Sequence, residues 1–276
     1  MRRLTIACAL LVALTGACGG KKKQREIDQR LLTPRETYDA AVGEVQRDKL
    51  RRATELFGRI DYRLGEDRAE LEPLVRLGTA DATFYQNNDL SLIDARALYL
   101  DFVTLYGDHP RAPYAQFQAG VCSLSQVSTP SRDQSETHQA IEDLKLVEAR
   151  FPDSPYAVSA RLMRRAAEAR LVEHELIVGR FYLAKRAYNA AIERFQTALG
   201  AFPDSAKQGE LFLALGEGMM LSGDTQQGRF YIDRVITDFA GSGLDDQAKK
   251  VLAKVEAQSA KIAARTAKAV AQSGKD

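Results

Sequence analysis

The chain has no tryptophan, only three cysteines and no long apolar run. The longest apolar run, from about Leu4 to Thr15, is much shorter than the roughly 20 residues that span a bilayer. Three cysteines, one of them in a segment that we expect to be removed, cannot build a disulfide framework. We therefore expect a fold that depends on an ordinary apolar core.

An excess of charge of one sign is also lacking. Lys and Arg number 39 and Asp and Glu 37, and cleavage before Cys18 would remove Arg2 and Arg3 and leave 39 − 2 = 37 of each sign. Nucleic-acid-binding proteins usually carry a clear basic excess, so this class is disfavoured. The content of 28% charged and 45% apolar residues is that of a folded globular chain, and 276 residues allow one or two domains.

The N-terminus has the order of a bacterial secretion signal: two arginines, an apolar segment and then small residues before Cys18. The run 14–18 resembles a lipobox, with Thr15 where Leu is usual. We predict a signal peptide over 1–17 and lipidation of Cys18, and the alternative is ordinary secretion with a free thiol. Gly19 rather than Asp follows the cysteine, which in similar lipoproteins favours the outer membrane. Residues 18–32 are predicted to be a flexible basic tether.

The rest of the chain has helical periodicity, and we find no convincing strand up to about residue 260. The first helix is predicted at Thr33, where Glu36 completes a capping box. The eight prolines are predicted to lie where helices begin or end, and none inside a helix, because proline lacks the N–H that a helix interior needs. They are Pro34, Pro73, Pro110, Pro113, Pro130, Pro152, Pro155 and Pro203.

The chain repeats itself, since the sequence Phe-Pro-Asp-Ser occurs at 151–154 and again at 202–205. The segment 174–203 resembles a tetratricopeptide (TPR) repeat, a helix–turn–helix unit of 34 residues. The residues that carry this resemblance are Gly179, Tyr182, Ala191, Phe195, Ala198 and Pro203. Weaker copies flank it, and the small residues of the five second helices are Ala53, Ala95, Ala140, Ala191 and Gly228. Their separations all exceed 34, which predicts an all-α solenoid of about five irregular helix pairs.

We divide the predicted fold into N-terminal repeats over 33–153, C-terminal repeats over 154–243, and a terminal helix with a mobile tail over 244–276. The segment 127–136 is predicted to be an inserted loop, and 154–185 is consistent with one very long helix. The Ala/Lys-rich tail from about residue 257 is either a helical overhang or a frayed end.

Motifs for chemistry are scarce. His109, His138 and His174 are too far apart in sequence to suggest a metal motif, and no Cys-x-x-Cys or P-loop occurs. We expect no cofactor, no metal and no enzymatic activity. A lipoprotein hydrolase, the alternative from the enzyme class, would need a nucleophile–base constellation that is not visible.

A helix-pair solenoid instead offers surface for binding extended peptides or partner proteins. Tyr85, Tyr114 and Gln118 lie at or near first-helix positions and are candidates for a peptide groove, although core packing is an equal alternative for the tyrosines. Arg194 stands beside Phe195, where the repeat usually has an apolar residue. Its side chain either extends to solvent or contacts a partner.

A lipobox, a tether and five irregular TPR-like units together resemble the BamD (YfiO/ComL) family of outer-membrane lipoproteins. The most specific stretch runs from His174 through Phe181-Tyr182 to Arg194. Residues that also carry the resemblance are Tyr38, Ala53, Phe102, Tyr114, Ala115, Gly120, Asp133, Gln134, Ala140, Ile141, 151–154 and Tyr156.

The resemblance implies a non-catalytic scaffold on the periplasmic face of the outer membrane. It implies that the C-terminal repeats bind a POTRA domain of the barrel protein BamA and that Arg194 faces this partner. It also implies that the N-terminal repeats receive unfolded outer-membrane proteins through their C-terminal targeting segment, and that accessory lipoproteins are possible partners. The alternative is a TPR-type envelope adaptor for cell division or peptidoglycan synthesis. Such proteins usually carry an N-terminal coiled coil and a normal signal peptide, and this chain has no heptad run there.

Overall fold

A computed structural model describes residues 33–60 and 68–273 of the chain, and the helices and contacts below belong to that part. The predicted signal peptide and tether, with Cys18, lie outside the described residues. The first described helix begins as predicted. Thr33 Oγ1 accepts a hydrogen bond from the Glu36 amide at 3.3 Å, and the Glu36 carboxylate accepts one from the Thr33 amide at 3.0 Å.

The chain divides by packing into two compact units, the first of which ends at Gly107. The first unit contains four described helices, each of which packs against its neighbour in sequence. They are α1 (Pro34–Gln46), α2 (Leu50–Gly58), α3 (Arg68–Phe84) and α4 (Asp89–Leu105).

The second unit begins at Asp108 and is also purely helical among its described residues. Its helices are α5 (Ala112–Ser125), α6 (Ser135–Arg150), α7 (Pro155–Ala184), α8 (Tyr188–Ala201), α9 (Gln208–Ser222), α10 (Thr225–Asp238) and α11 (Leu244–Ser273). Successive helices again pack against each other. The prediction of an all-α, TPR-like solenoid with five helix pairs and a terminal helix is confirmed. The functional division at residues 153 and 154 stays a prediction.

The helix pairs are closed by small residues, as the repeat pattern predicts. Ala53, Ala95, Ala140 and Ala191 are all completely buried. In the pair α7–α8 the ring of Phe195 lies directly over Gly179, so that a Cβ placed there would come within 2.2 Å of Phe195 Cε1. The glycine therefore makes room for an aromatic ring from the second helix.

One proline departs from the prediction. Pro73 lies inside α3, where it is buried. It is the sixth residue of that helix, so its missing N–H removes one of the first intrahelical hydrogen bonds only. Burial of the ring in the core of the first unit offsets part of that cost.

The long helix and the inserted loop of the second unit are present, and the backbone of the tail is helical. The long helix is α7, which has 30 residues. The inserted loop spans 126–134, which is slightly shorter than predicted because Ser135 and Glu136 already belong to α6. The tail is a helical overhang, since α11 continues to Ser273.

Candidate partner-binding surfaces

Arg194 lies on the solvent side of the α7–α8 pair. Its helix buries Ala191, Phe195 and Ala198 against α7 and α9, which leaves the Arg194 side chain 47% exposed. Arg194 Nη1 lies 3.5 Å from Glu175 Oε2 on α7. The guanidinium is therefore at the surface and also restrained by an intramolecular carboxylate.

The loop 126–134 is tied down onto the same long helix. The Arg170 guanidinium donates a hydrogen bond to the carbonyl oxygen of Ser128, and His174 Nδ1 donates to the carbonyl oxygen of Pro130 at 2.6 Å. Gln134 holds the loop from its other end, because its side-chain Nε2 donates to the carbonyl oxygens of Thr129 and Arg132 at 3.0 and 2.9 Å. These contacts fix an irregular segment against regular helices.

A cavity of about 510 Å³ lies between this loop, α7 and α8, and we call it the loop cavity. It is lined by Ser131, Arg132, Asp133, Gln134, Ser135, His138, Leu171, His174, Glu175, Thr197, Ala198, Ala201 and Phe202. Glu175 of this lining is the residue that pairs with Arg194. The residue that the sequence indicates for partner binding is therefore paired with a residue of the cavity lining.

Both signs of charge line the loop cavity. Hydrogen bonds from the Ser135 side chain and amide lower the pKa of Asp133, so this carboxylate is negative at neutral pH. Arg132 and His138 are exposed donors on the same rim. A surface with ordered donors and acceptors of this kind suits a complementary polar patch on a folded partner.

The first unit has a different depression between its helices α2, α3 and α4. It has a volume of about 640 Å³, and we call it the threonine groove. It is lined by Arg51, Thr54, Thr79, Thr83, Gln86, Asn88, Leu90, Ser91, Asp94, Ala97 and Leu98. Leu90 in this lining is 68% exposed. The groove therefore combines hydroxyl and amide groups with an uncovered apolar side chain.

Tyr85 belongs to a second depression of about 600 Å³ that shares Arg51, Gln86 and Asn88 with the threonine groove. The Tyr85 side chain is 53% exposed, and its ring contacts that of Phe84 edge-on. Arg51 is exposed at the shared boundary. An aromatic ring and a cation thus lie at one end of the groove.

Tyr114 and Gln118 lie on α5 in the second unit, so they belong to a different compact unit from Tyr85. Gln118 Nε2 donates to Tyr114 Oη at 3.2 Å, and the Tyr114 ring packs against that of Tyr156 with 5.8 Å between the centroids. Both residues are half-buried. Their contact with a peptide stays a prediction.

Several residues of these surfaces were not singled out as binding residues from the sequence. Glu175 and His174 stood within the family-like stretch, but nothing in the sequence pairs them with Arg194 or with the loop. The threonines of the groove carry no motif at all. Only their spacing, with Thr79 and Thr83 one helical turn apart, places them on one face.

No set of three or more His, Cys, Asp or Glu residues suited to a metal ion occurs in 33–60 and 68–273. Within the same ranges, no helix has the length and apolar character required to cross a membrane. Cys122 lies in α5, where its side chain is buried.

Comparison with known proteins identifies the family. The YfiO family, described as outer membrane lipoprotein, matches residues 31–229. The chain belongs to this family. The match extends over both compact units and includes the loop cavity, the threonine groove and Arg194.

Curated relatives carry the name outer membrane protein assembly factor BamD. The protein from Caulobacter vibrioides is 25% identical over 82% of this chain and 72% of its own length. The protein from Rickettsia prowazekii is 25% identical over 84% of this chain and 90% of its own length. The protein from Vibrio cholerae is 30% identical over 44% of this chain. The family predicted from the sequence is therefore confirmed.

Proposed function

We propose that this chain is a non-catalytic, lipid-anchored subunit of the machine that assembles β-barrel proteins in the outer membrane. The observation that carries the proposal is the family match across both units, together with relatives named as assembly factors. Cys18 would carry the lipid, and the chain would act on the periplasmic face of the outer membrane. Two separate surfaces would then serve two kinds of partner.

The second unit would bind a POTRA domain of a BamA-type barrel protein. Support for this comes from Arg194, which is exposed and pairs with Glu175 of the loop cavity. A guanidinium recognises a carboxylate with directed hydrogen bonds, so an acidic side chain on the partner fits this position. The ordered loop 126–134 would enlarge the contact area around it.

The first unit would receive unfolded outer-membrane proteins through their C-terminal segment. The threonine groove has hydroxyl and amide groups that can bond an extended backbone, and Leu90 can contact an apolar side chain. Tyr85 and Arg51 at its end suit a terminal aromatic residue and the terminal carboxylate. Tyr85 is thus a candidate contact for the client peptide in the first unit. Tyr114 and Gln118 stay candidates for a peptide contact in the second unit.

The partner assignment is tested by purifying the lipidated protein from solubilised envelopes and identifying the proteins that accompany it. We expect a POTRA-containing barrel protein with the wild type and its depletion with Arg194→Glu. Arg165→Glu is the matched control, because Arg165 is an exposed arginine of the same unit that lies outside the loop cavity.

Two other results of this co-purification would change the proposal. Equal recovery of the barrel protein with both variants would show that Arg194 does not contribute to the interface, while the proposed assembly function would be retained. Recovery of cell-division or peptidoglycan-synthesis proteins without a barrel protein would overturn the proposal in favour of an envelope adaptor.

The client assignment is tested with peptides that end in the C-terminal segment of an outer-membrane barrel protein. We expect the free-acid peptide to bind more tightly than its amidated form, and Arg51→Gln to abolish that difference. Arg59→Gln, an exposed arginine at the end of α2, is the control. An unchanged preference for the free acid in Arg51→Gln would show that the carboxylate binds elsewhere.

A further inference from the structure

The terminal helix α11 changes character along its length. Its first half packs through Ala248, Val251, Leu252 and Val255 into the core formed with α9 and α10. Two charged side chains of the same half pair with neighbouring helices, since Lys254 Nζ lies 3.6 Å from Glu217 Oε1 and Glu256 Oε1 lies 2.9 Å from Arg229 Nη1. This half of α11 is an ordinary cap on the last repeat.

The second half leaves the core. The residues of 257–265 whose side chains the structure describes are all exposed, and they are Ala257, Ala260, Lys261, Ala264 and Arg265. No ion pair of Lys261 or Arg265 occurs among the described residues. The helical backbone nevertheless continues to Ser273.

Basic residues gather on one face of this helix. At about 100° per residue, the exposed side chains of Lys250, Lys254, Lys261 and Arg265 fall within an arc of roughly 60°. Lys268 occupies the same register position in the sequence. No acidic residue follows Glu256 until Asp276 at the end of the chain. In a mature chain that we expect to be neutral, this is a local concentration of positive charge.

We propose that the basic face of α11 binds the anionic headgroups of a phospholipid bilayer. The inference goes beyond the proposed function and does not depend on any assembly partner. A basic stripe on a helix is attracted to an anionic bilayer surface, and the attraction grows with each Lys or Arg that reaches it.

The composition of the overhang favours a bilayer over a protein groove. A helix that docks in a groove presents large apolar anchors at one-turn spacing. Between residues 257 and 273 the large apolar residues are only Ile262 and Val270, and the remainder are mostly alanine, lysine and small polar residues. The segment therefore offers charge without apolar anchors, which suits a surface of diffuse negative charge. A lipid on Cys18 would keep such a surface close to the chain.

The test uses residues 18–276 with Cys18→Ser, so that no acyl chain contributes, and vesicles of phosphatidylglycerol with phosphatidylethanolamine. Pure phosphatidylcholine vesicles are the neutral comparison. We expect sedimentation with the anionic vesicles only, weakened by salt. The variant Lys261→Gln/Arg265→Gln/Lys268→Gln keeps good helix formers and should lose at least tenfold in binding, since each basic residue contributes roughly fivefold.

The control removes the same number of charges elsewhere in the second unit. Arg111→Gln/Arg165→Gln/Arg186→Gln changes three exposed arginines and should bind the anionic vesicles within about threefold of the wild type. Circular dichroism establishes that both variants keep their helices. If the tail variant binds like the wild type, the tether with its lysines is the lipid-binding segment and the proposal fails.

A second readout separates a bilayer from an acidic protein. A photo-crosslinking residue at Ala264, which is exposed beside Arg265, is introduced into the lipidated protein in intact envelopes. We expect adducts with phospholipid. Adducts with protein alone, or equal binding of the purified chain to neutral and anionic vesicles, would overturn the proposal.

Discussion

The loop cavity of the second unit and the threonine groove of the first unit differ in how their linings are held. In the loop cavity, contacts cross between elements: Arg170 and His174 of α7 bond the loop, and Glu175 of α7 pairs with Arg194 of α8. In the threonine groove the hydroxyl groups bond mostly within their own helix. Thr83 Oγ1 donates to the carbonyl oxygen of Thr79, and Thr79 Oγ1 donates to that of Val75, each at 2.8 Å.

This difference indicates two kinds of recognition. A lining that is fixed by contacts between elements is preorganised, and preorganisation favours a partner of constant shape such as a folded domain. A lining with few cross-helix contacts can adapt to different side chains, which favours a varied set of unfolded clients. The one cross-helix bond in the groove lining that the structure gives, from Gln86 Nε2 to Thr54 Oγ1, is long at 3.5 Å.

The largest predicted effect is a loss of stability in the helix pair α7–α8, two helices that line the loop cavity. Gly179→Ala would place a methyl group within 2.2 Å of the Phe195 ring, and we expect a loss of about 2–3 kcal/mol in the free energy of unfolding of the second unit from overpacking. Chemical denaturation followed by circular dichroism measures it.

Gly200→Ala is the matched control for that substitution, because Gly200 is also helical and nothing beyond its own helical turn lies within 4 Å of a Cβ placed there. We expect a gain of up to about 1 kcal/mol, as for glycine in helices generally. A loss in Gly200→Ala equal to that in Gly179→Ala would show that the Phe195 contact is not the cause.

A second prediction concerns the carboxylate that ties α6 to the long helix. Burial raises the pKa of Glu148, but hydrogen bonds from Arg164 and Arg161 outweigh it, so the pKa is lowered overall. A lowered pKa means that the ionised form stabilises the fold at neutral pH and that this contribution disappears as the pH falls from the ordinary glutamate range through the lowered pKa.

We expect Glu148→Gln to cost about 1–2 kcal/mol of unfolding free energy at neutral pH, because it leaves the half-buried Arg164 with a weaker partner. The gap between variant and wild type should close on acidification. Glu142→Gln on the same helix, where the pair with Lys145 is exposed, should change stability by less than about 0.5 kcal/mol. A gap that stays constant with pH would contradict the role assigned to Glu148.

The third prediction concerns the loop 126–134 and substitutes no residue of the α7–α8 core. Arg170→Ala/His174→Ala removes the two α7 side chains that bond the loop 126–134, and we expect faster amide exchange in that loop and about five- to tenfold weaker binding of the barrel partner. Arg165→Ala, on the exposed side of the same helix, should change neither measurement. Unchanged exchange in the double variant would mean that Gln134 alone holds the loop.

The sequence predicts the helices well because they depend on local signals. Thr33 and Glu36 mark the first helix, and the small residues and Phe195 mark the helix pairs before any contact is known. The prediction for Pro73 is wrong, since a proline that costs one hydrogen bond is tolerated when its ring is buried. The linings of the two surfaces, by contrast, are not predicted from the sequence, because they depend on contacts that are not local. Contacts such as His174 with Pro130 join residues that are distant in sequence, and no periodicity encodes them.

The smallest predicted effect concerns Glu175, which either positions Arg194 for its partner or weakens that partner's binding. If a partner carboxylate approaches Arg194, it also approaches Glu175, whose oxygen lies 3.5 Å from the guanidinium, and like charges repel at that range. Glu175→Gln removes the repulsion and keeps the side chain's shape. We expect partner binding to strengthen by about two- to fourfold, because a partly exposed ion pair at this distance is worth roughly 1 kcal/mol or less.

Titration of the purified POTRA region against the wild type and against Glu175→Gln measures this difference in affinity. The control is Glu173→Gln, which lies two residues earlier on α7 and pairs with Lys207 rather than Arg194. The increase should be greatest at low salt, since screening weakens the repulsion that the substitution removes. Weaker binding of Glu175→Gln would mean that Glu175 positions Arg194 for its partner. The pair would then belong with the loop contacts that preorganise the surface, and the contrast with the threonine groove would extend to the rim of the cavity.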